Sequence, residues 1–299
     1  MARNTRLEVS PVPRRWPWPA TARTATLASL ALLAVLAWAL NDDLPRALPE
    51  SDRPFAAAAA RGVLIVAVPP RPAPTLYVGK VDRTLRAPDP FAAALASDLA
   101  RRAGLPVQFL LAEPAAARAA LQSGKADAVI AGLRFSPDAR IAFASTSYSS
   151  GRGMALVLDH GNVRTWRDLS GRAICASQGN PYAQRAAREY HASVHGFDRP
   201  LDALLAFQAG DCAALVDDEF VIEALLKQAD WSYYRPLRGT IAAQAAFIAT
   251  RAGDTASTAF VGDTVMAWRR SRWLATVRKD QAISLAFDMF NAENDLYCH

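Results

Sequence analysis

The feature that most constrains the fold is an alternation of short apolar strands and helices that occurs twice along the chain. The segment LQSGKADAVIA (121–131) is matched 86 positions later by FQAGDCAALVD (207–217), with Gln, Gly and Ala at the same spacing. Strands are predicted at 63–68, 107–111 and 128–131 in the first copy, and at 173–177, near 194 and at 212–216 in the second. Such βαβαβ patterns fold as parallel sheets covered by helices, so we predict an α/β protein with two doubly wound lobes.

Prolines mark the starts of the predicted helices. Asp89-Pro90 and Asn180-Pro181 each place a capping side chain directly before a proline at the first helical position. Pro114 opens another helix in the same way. These signals predict where three of the helices begin.

Four loops follow the predicted strands at the edge where open parallel sheets bind ligands. They are Pro69–Tyr77, Gly132–Arg140, Gln178–Tyr182 and Asp217–Phe220. Tyr77 could stack on a ligand or pack within its own loop.

The loop GLRFSPDAR (132–140) carries groups that suit an anion. Gly132 permits a sharp turn, and Ser136 offers a hydroxyl. Arg134 or Arg140 offers a planar fork that matches a carboxylate. The alternative is a solvated surface loop.

Three segments resemble the periplasmic solute-binding proteins of ABC importers, in particular the amino-acid-binding family. They are LQSGKADAVIAGLRFSPDARIAF, LSGRAICASQGNPYA and GDCAALVDDEFVIEALL, in the family's order and spacing. The resemblance implies a type II periplasmic binding-protein fold, with lobe 1 at 58–155 and 245–299 and lobe 2 at 156–244. Met154–Leu158 and Ala245–Ala249 would be the hinge strands between the lobes, and the segment from Thr255 would form helices covering lobe 1.

The same resemblance implies roles for particular residues. Ser136 matches a ligand hydroxyl, Asn180 and Pro181 match a Thr-Thr pair near the ligand carboxylate, and Asp218 matches the aspartate that binds the ammonium group. Arg134 stands where the family has a small hydroxyl residue. Ala139 stands at the usual arginine, with Arg140 one residue later. These departures leave open a ligand other than a standard α-amino acid.

The function that this resemblance implies is extracytoplasmic binding of a small polar solute, an amino acid or a related carboxylate, for uptake through an ABC permease. It implies neither catalysis nor a cofactor. One alternative is an enzyme similar to cyclohexadienyl dehydratases, with acid–base carboxylates drawn from Asp138, Asp217, Asp218 and Glu219. The other alternative is a membrane-anchored accessory or sensor module.

The N-terminus has the pattern of an export signal. Residues 1–23 carry five arginines against one glutamate, 24–40 are uncharged and mostly apolar, and 41–57 resemble a tether. Seventeen residues are just long enough for a membrane span. We therefore predict an N-terminal hydrophobic helix, retained as an inner-membrane anchor or cleaved as a signal peptide, with the remainder in the periplasm.

The charge and the cysteines exclude some functions and suggest one covalent bond. Beyond residue 23 there are 29 basic and 27 acidic side chains, too balanced for a nucleic-acid-binding surface. No metal-binding motif is present.

Cys175 and Cys212 fall on strands that neighbour each other in a 2-1-3 order, so they can form a disulfide outside the cytoplasm or remain buried thiols. Cys298 is left over.

Overall fold

Both predicted sheets are present. The computed structural model describes residues 53–73 and 85–297, with side chains up to residue 285, so the predicted export signal and Tyr77 lie outside the described residues. The strands are β1 (Leu64–Val68), β2 (Pro70–Pro72), β3 (Arg86–Pro88), β4 (Val107–Leu111), β5 (Ala128–Val129), β6 (Ile141–Phe143), β7 (Arg152–Leu158), β8 (Ala173–Ser177), β9 (Ser193–Phe197), β10 (Ala214–Asp218), β11 (Tyr234–Pro236), β12 (Ile241–Ala242) and β13 (Ala249–Arg251). The helices are α1 (Ala56–Arg61), α2 (Pro90–Arg102), α3 (Pro114–Gln122), α4 (Pro181–Tyr190), α5 (Pro200–Gln208), α6 (Glu219–Leu225), α7 (Thr255–Arg270) and α8 (Trp273–Tyr297).

The first sheet has the order β4-β1-β5-β13-β6. β1 is parallel to β4 and to β5, as the predicted 2-1-3 order requires, and β13 is antiparallel to its two neighbours. Helix α2 begins where Asp89 caps it, accepting a hydrogen bond from the N–H of Ala92 at 2.9 Å. The helix buries Leu95 and Leu99, four residues apart on one face, in the core of this sheet.

The second sheet has the order β11-β7-β10-β8-β9, with β12 beside β7. β8 is parallel to β9 and β10, which again gives the order 2-1-3 for the three strands of the repeat. Asn180 caps α4 as predicted, since its side-chain oxygen accepts from the N–H groups of Tyr182 and Ala183 at 2.9 and 3.0 Å. The two predicted βαβαβ patterns are therefore confirmed.

One strand differs from its prediction in a way that matters for the site. The segment 212–216 is apolar and was predicted as the strand, but β10 runs from Ala214 to Asp218. Asp217 and Asp218 stay in the strand because they pair with Met154 and Gly153 of β7. Backbone pairing with β7 outweighs the polarity of these two side chains, so both carboxylates lie at the strand's carboxyl end.

The two sheets are joined by chain segments that run side by side. The N–H of Ala144 donates to the carbonyl of Ile248 at 2.9 Å, and that of Tyr148 donates to the carbonyl of Ala246 at 3.0 Å. Two segments therefore cross between the sheets as expected, but the position predicted for the first was wrong, and their action as a hinge stays a prediction. Met154–Leu158 lies wholly within β7, which pairs with β10 and β11, so the crossing occurs earlier in the chain.

The C-terminal helices do not cover the first sheet alone. α7 packs against β13, whereas α8 contacts α2 and α7 on one side and α6 of the second sheet on the other. Leu274 belongs to the core of the first sheet, and Ala282 belongs to a core cluster of the second. Helix α8 therefore joins the two halves. No helix among the described residues combines the length and apolar composition needed to cross a membrane.

Cys175 and Cys212 form the predicted disulfide. Their Cα atoms are 5.6 Å apart, and the bond joins β8 to the turn before β10. Both residues are buried, in the core cluster that includes Leu204 and Trp231.

Removing this disulfide should destabilise the folded protein. The bond closes a segment with a sequence separation of 37, and a loop of this length is expected to contribute about 3–4 kcal/mol through the unfolded state. We expect the Cys175→Ser/Cys212→Ser variant to lose a comparable part of its free energy of unfolding in denaturant titrations. Cys298→Ser is the matched control and should behave as wild type; equal midpoints for the two variants would contradict the prediction.

Candidate functional site

The loop 132–140 after β5 is held by hydrogen bonds to Tyr148 and to helix α3. Gly132 has a φ of 71°, a left-handed conformation that favours glycine, and its N–H donates to the hydroxyl of Tyr148 at 2.8 Å. The hydroxyl of Ser136 accepts from Arg118 Nη2 of α3 at 2.8 Å. Both of these predicted ligand groups therefore have a partner within the protein.

Asp138 is the centre of this loop. It accepts from the N–H of Arg140 at 2.9 Å, from Arg118 at 3.2 Å and from Gln122 at 2.9 Å. The hydrogen bond from the Arg140 N–H, together with those from the other two residues, lowers the pKa of Asp138 despite some desolvation. Asp138 is therefore a structural carboxylate, and it supports the loop that presents the two predicted arginines.

Arg134 and Arg140 are the predicted anion-binding arginines, and both side chains are exposed. Neither guanidinium has a hydrogen-bond or ion-pair partner among the described residues. Beside Arg134, the ring of Phe135 is 66% exposed and packs against the rings of Phe143 and Phe247. This loop therefore presents two exposed guanidinium groups next to an apolar surface.

On the second sheet, the predicted residues Asn180, Pro181 and Asp218 lie in one connected cluster. Asn180 Nδ2 donates to Asp217 Oδ1 at 3.2 Å, and the carbonyl of Pro181 accepts from the N–H of Gln244 at 3.1 Å. No hydrogen bond or ion pair among the described residues joins this cluster directly to the loop 132–140. The predicted opposition of that loop and Asp218 across a cleft stays a prediction.

The carboxylate of Asp218 already accepts hydrogen bonds from other groups of this chain. Its Oδ1 caps α6 by accepting from the N–H of Phe220 at 3.0 Å. Its Oδ2 accepts from the hydroxyl of Tyr182 at 2.6 Å and from Arg278 Nη1 of α8 at 2.6 Å. The side chains of Asp218 and Arg278 are only 12% and 11% exposed. Burial and the Asp218 charge raise the pKa of Tyr182, which keeps its hydroxyl protonated as the donor.

Asp217 is the titratable group of the cluster. Burial raises the pKa of Asp217 to about 7, and the charge of the neighbouring Asp218 adds to this rise, whereas hydrogen bonds from the Asp218 N–H and Asn180 oppose it. The N–H of Asp218 donates to Asp217 Oδ1 at 2.7 Å. A carboxyl group with such a pKa can exchange a proton near neutral pH.

Three buried polar atoms beside this cluster have no hydrogen-bond partner among the described residues. They are Ser150 Oγ, Gln244 Oε1 and Arg278 Nε. Ser150 and Gln244 lie on the two segments that join the sheets, next to Tyr182 and Pro181. Buried polar atoms are normally paired, so a polar ligand or ordered water is the expected partner here.

The short strands β2 and β3 pair with each other as a separate antiparallel hairpin, and two of its arginines reach loops of the second sheet. Arg71 Nε donates to Asp89 at 3.0 Å, and its Nη2 lies 3.5 Å from where a Cβ atom at Gly179 would stand. Arg86 forms an ion pair with Asp198 at 3.5 Å. Loops at the strand ends of the two sheets therefore lie close to each other. We call the space between these loops the cleft.

A separate cavity of about 390 Å³ lies between β6 and α7. Its lining is mainly small and apolar, and it contains none of the residues predicted to bind a ligand. The lining residues are Ala142, Phe143, Ser145, Ala252, Thr255, Thr258, Ala259, Gly262 and Asp263. The strand-end loops remain the better candidate for the functional site because the paired charges and buried polar atoms converge there.

Comparison with known proteins identifies the fold. No protein-family model matches the chain, and no curated protein sequence does. AbpA of Streptococcus pneumoniae, solved bound to L-arginine, superposes with a TM-score of 0.54 at 19% identity, over 78% of this chain and 99% of that one. A mutant of ArgBP from T. maritima gives a TM-score of 0.52 at 20% identity, over 78% and 98%.

A third similar structure is the ancestral amino acid-binding protein AncCDT-1, described as a precursor of cyclohexadienyl dehydratase. It superposes with a TM-score of 0.52 at 21% identity, over 75% of this chain and 97% of that one. At such identities the likeness establishes the fold and no more. The chain has the type II periplasmic binding-protein fold, as the sequence predicted.

Sequence reasoning missed Tyr182, Arg71 and Arg278. Tyr182 and Arg71 lie in loops that had been singled out, so their positions were available although their partners were not. Arg278 lies 60 residues beyond Asp218 on a helix whose sequence carries no sign of a contact there. Only the packing of α8 against α6 brings that arginine to the site.

The proton of Asp217 should make stability depend on pH. Because its folded pKa of about 7 exceeds the ordinary 3.8, the folded state binds more protons between these values. The wild type should therefore lose stability as pH rises through that window, relative to Asp217→Asn, which keeps the oxygen that accepts from Asn180. Denaturant titrations at about pH 4.5, 6 and 7.5 measure this difference. A difference that stays constant across the three values would contradict the assignment.

Proposed function

We propose that this chain binds a small polar solute, an amino acid or a related carboxylate, outside the cytoplasm and presents it to an ABC permease. The proposal depends on one observation. Strand-end loops of two α/β sheets lie close to the crossing segments, where buried polar atoms have no hydrogen-bond partner among the described residues. In open parallel sheets this edge is where ligands bind. The similar structures include a protein bound to L-arginine, which supports the same class of ligand.

In this proposal the two sheets belong to lobes that close on the solute. Lobe 1 comprises 58–155 and 245–299, and lobe 2 comprises 156–244. Gly132, Arg134, Ser136 and Arg140 contribute from lobe 1 together with Tyr77, and Asn180, Pro181 and Asp218 contribute from lobe 2. Closure would tighten contacts such as the Arg86–Asp198 ion pair, which joins the β2–β3 hairpin to the second sheet.

The proposal includes a location. The arginine-rich residues 1–23 and the apolar residues 24–40 are the features that support export, with the remainder in the periplasm and an attachment to the inner membrane. The disulfide of Cys175 and Cys212 is consistent with an oxidising compartment.

Ligand binding should stabilise the full-length protein against heat. We expect one or more amino acids or small carboxylates to raise the melting temperature, since a ligand at 100 times its Kd adds about 2.7 kcal/mol. Calorimetry on Arg134→Ala and Arg140→Ala then identifies the anchor. Substitution of the arginine that binds the ligand carboxylate should reduce the binding free energy by several kcal/mol. Substitution of the other arginine should reduce it by less than about 1 kcal/mol.

Arg188→Ala is the control for these variants, because Arg188 is exposed in the last turn of α4. It should bind as the wild type does. If both loop variants also bind as the wild type does, the loop 132–140 is a solvated surface loop. If no amino acid or carboxylate binds at all, the proposed function fails.

A second candidate function follows from Asp217 alone. A buried carboxyl group with a pKa of about 7 is suited to general acid–base work, and AncCDT-1 is described as a precursor of a dehydratase. This hypothesis predicts turnover of prephenate or arogenate that Asp217→Asn abolishes. The binding function predicts no turnover, so one assay with both compounds separates the two functions.

A further inference from the structure

Arg278 occupies a niche built around its guanidinium. Its Nη1 is 2.6 Å from Asp218 Oδ2 and 3.4 Å from the Tyr182 hydroxyl, and the ring of Phe220 lies 5.3 Å away by its centroid. Gly151 completes the niche, because a Cβ atom at this position would overlap the guanidinium. Its φ of 94° also disfavours any side chain. The niche therefore matches a planar cation in shape and in charge.

A cationic ligand group could reach Asp218 only by displacing this arginine. Both partners of the ion pair are nearly buried, at 11% and 12% exposure. Displacement would leave a guanidinium without its counter-charge in a poorly solvated site, which is strongly unfavourable. Arg278 therefore competes directly with the ammonium group of an amino acid.

Among the other carboxylates on the strand-end loops that the structure describes, Glu113 after β4 is exposed and forms no ion pair with a described residue, and the rest have partners in the chain. Each of four is held by an arginine of this chain: Asp89 by Arg71, Asp138 by Arg118, Asp198 by Arg86 and Glu219 by Arg152. Asp217 is not ion-paired, but it accepts from Asn180 and from the Asp218 N–H, and its pKa of about 7 leaves it partly neutral.

Positively charged side chains also lie on the same loops. Arg134 and Arg140 have exposed guanidinium groups without a partner among the described residues. Arg71 places its Nη2 beside Gly179, directly before the N-terminus of α4. Asp89 accepts from Nε of Arg71, which leaves Nη2 beside Gly179, where the positive potential of the helix N-terminus also favours an anion.

From this distribution of charge we infer that the cleft takes a carboxylate without an ammonium group, an oxo-, hydroxy- or dicarboxylic acid, and that Arg71 is one of its anchors. Arg278 occupies the position that a cationic group of a ligand would take. Asp218 therefore pairs with a side chain of the protein and not with the ligand. The inference rests on the proposed function and narrows its ligand class.

The test compares oxo acids with the amino acids that share their carbon skeletons. Calorimetry on the full-length protein uses three pairs: 2-oxoglutarate and L-glutamate, pyruvate and L-alanine, and 4-methyl-2-oxopentanoate and L-leucine. In each pair that binds, the oxo acid should bind at least about tenfold tighter, since Asp218, the aspartate predicted to bind the ammonium group, is held by Arg278. If an amino acid binds as tightly as its oxo acid or more tightly, the inference is wrong and the proposed function stands. If no compound binds, both fail.

Variants of the ion pair give an independent result. Arg278→Met frees Asp218 and should move the preference toward the amino acid by about tenfold or more. Lys279→Met removes a charge from an exposed position next along the same helix and should leave the preference unchanged. An unchanged preference in Arg278→Met would overturn the inference.

A double variant covers the case in which Arg278→Met does not fold. Asp218→Asn/Arg278→Met removes both buried charges together and retains an oxygen to cap α6, so it should fold. It should still bind the oxo acid, whereas a site that uses Asp218 for an ammonium group would lose its ligand. Arg71→Met should weaken the oxo acid by about tenfold or more in the same assay. Full affinity in Arg71→Met would show that Arg71 is not an anchor.

Discussion

The carboxylate of Asp218 connects a strand to three helices, and the arrangement around the cleft depends on it. Strand pairing fixes its position, because Asp218 lies opposite Gly153 at the end of β10. From there it caps α6 and accepts hydrogen bonds from Tyr182 of α4 and Arg278 of α8. Few water molecules reach these atoms, so each hydrogen bond is stronger than on the surface, and loss of one would leave a costly unpaired charge.

This carboxylate also explains why helix α8 belongs to both halves of the protein. Apolar contacts place Leu274 of this helix in the core of the first sheet and Ala282 in a core cluster of the second. The ion pair with Asp218 attaches its next turn to the second sheet, and α6 then packs alongside. A helix fixed in this way can support the crossing segments, which are two irregular stretches of chain joined by a few hydrogen bonds.

Local patterns predicted the parts of the fold that local chemistry determines. Asp89-Pro90 and Asn180-Pro181 start helices because capping and proline geometry involve only neighbouring residues. The disulfide was predictable because strand order places Cys175 beside the segment of Cys212. Arg278 was not predictable, since its role depends on how a distant helix packs and on the space left by Gly151. The likeness to solved structures establishes the fold, but the fold does not determine the charges on the strand-end loops from which the ligand class is proposed.

The lack of a side chain at Gly151 has an evolutionary consequence. Any larger residue there would displace the guanidinium of Arg278 and strain a left-handed backbone, so a change at position 151 requires a change at position 278. A lineage that exchanged Gly151 would have to lose the arginine as well, and Asp218 would then need a new cation. Related sequences without glycine at position 151 should therefore also lack the arginine at position 278, whereas the arginine can be lost while the glycine stays.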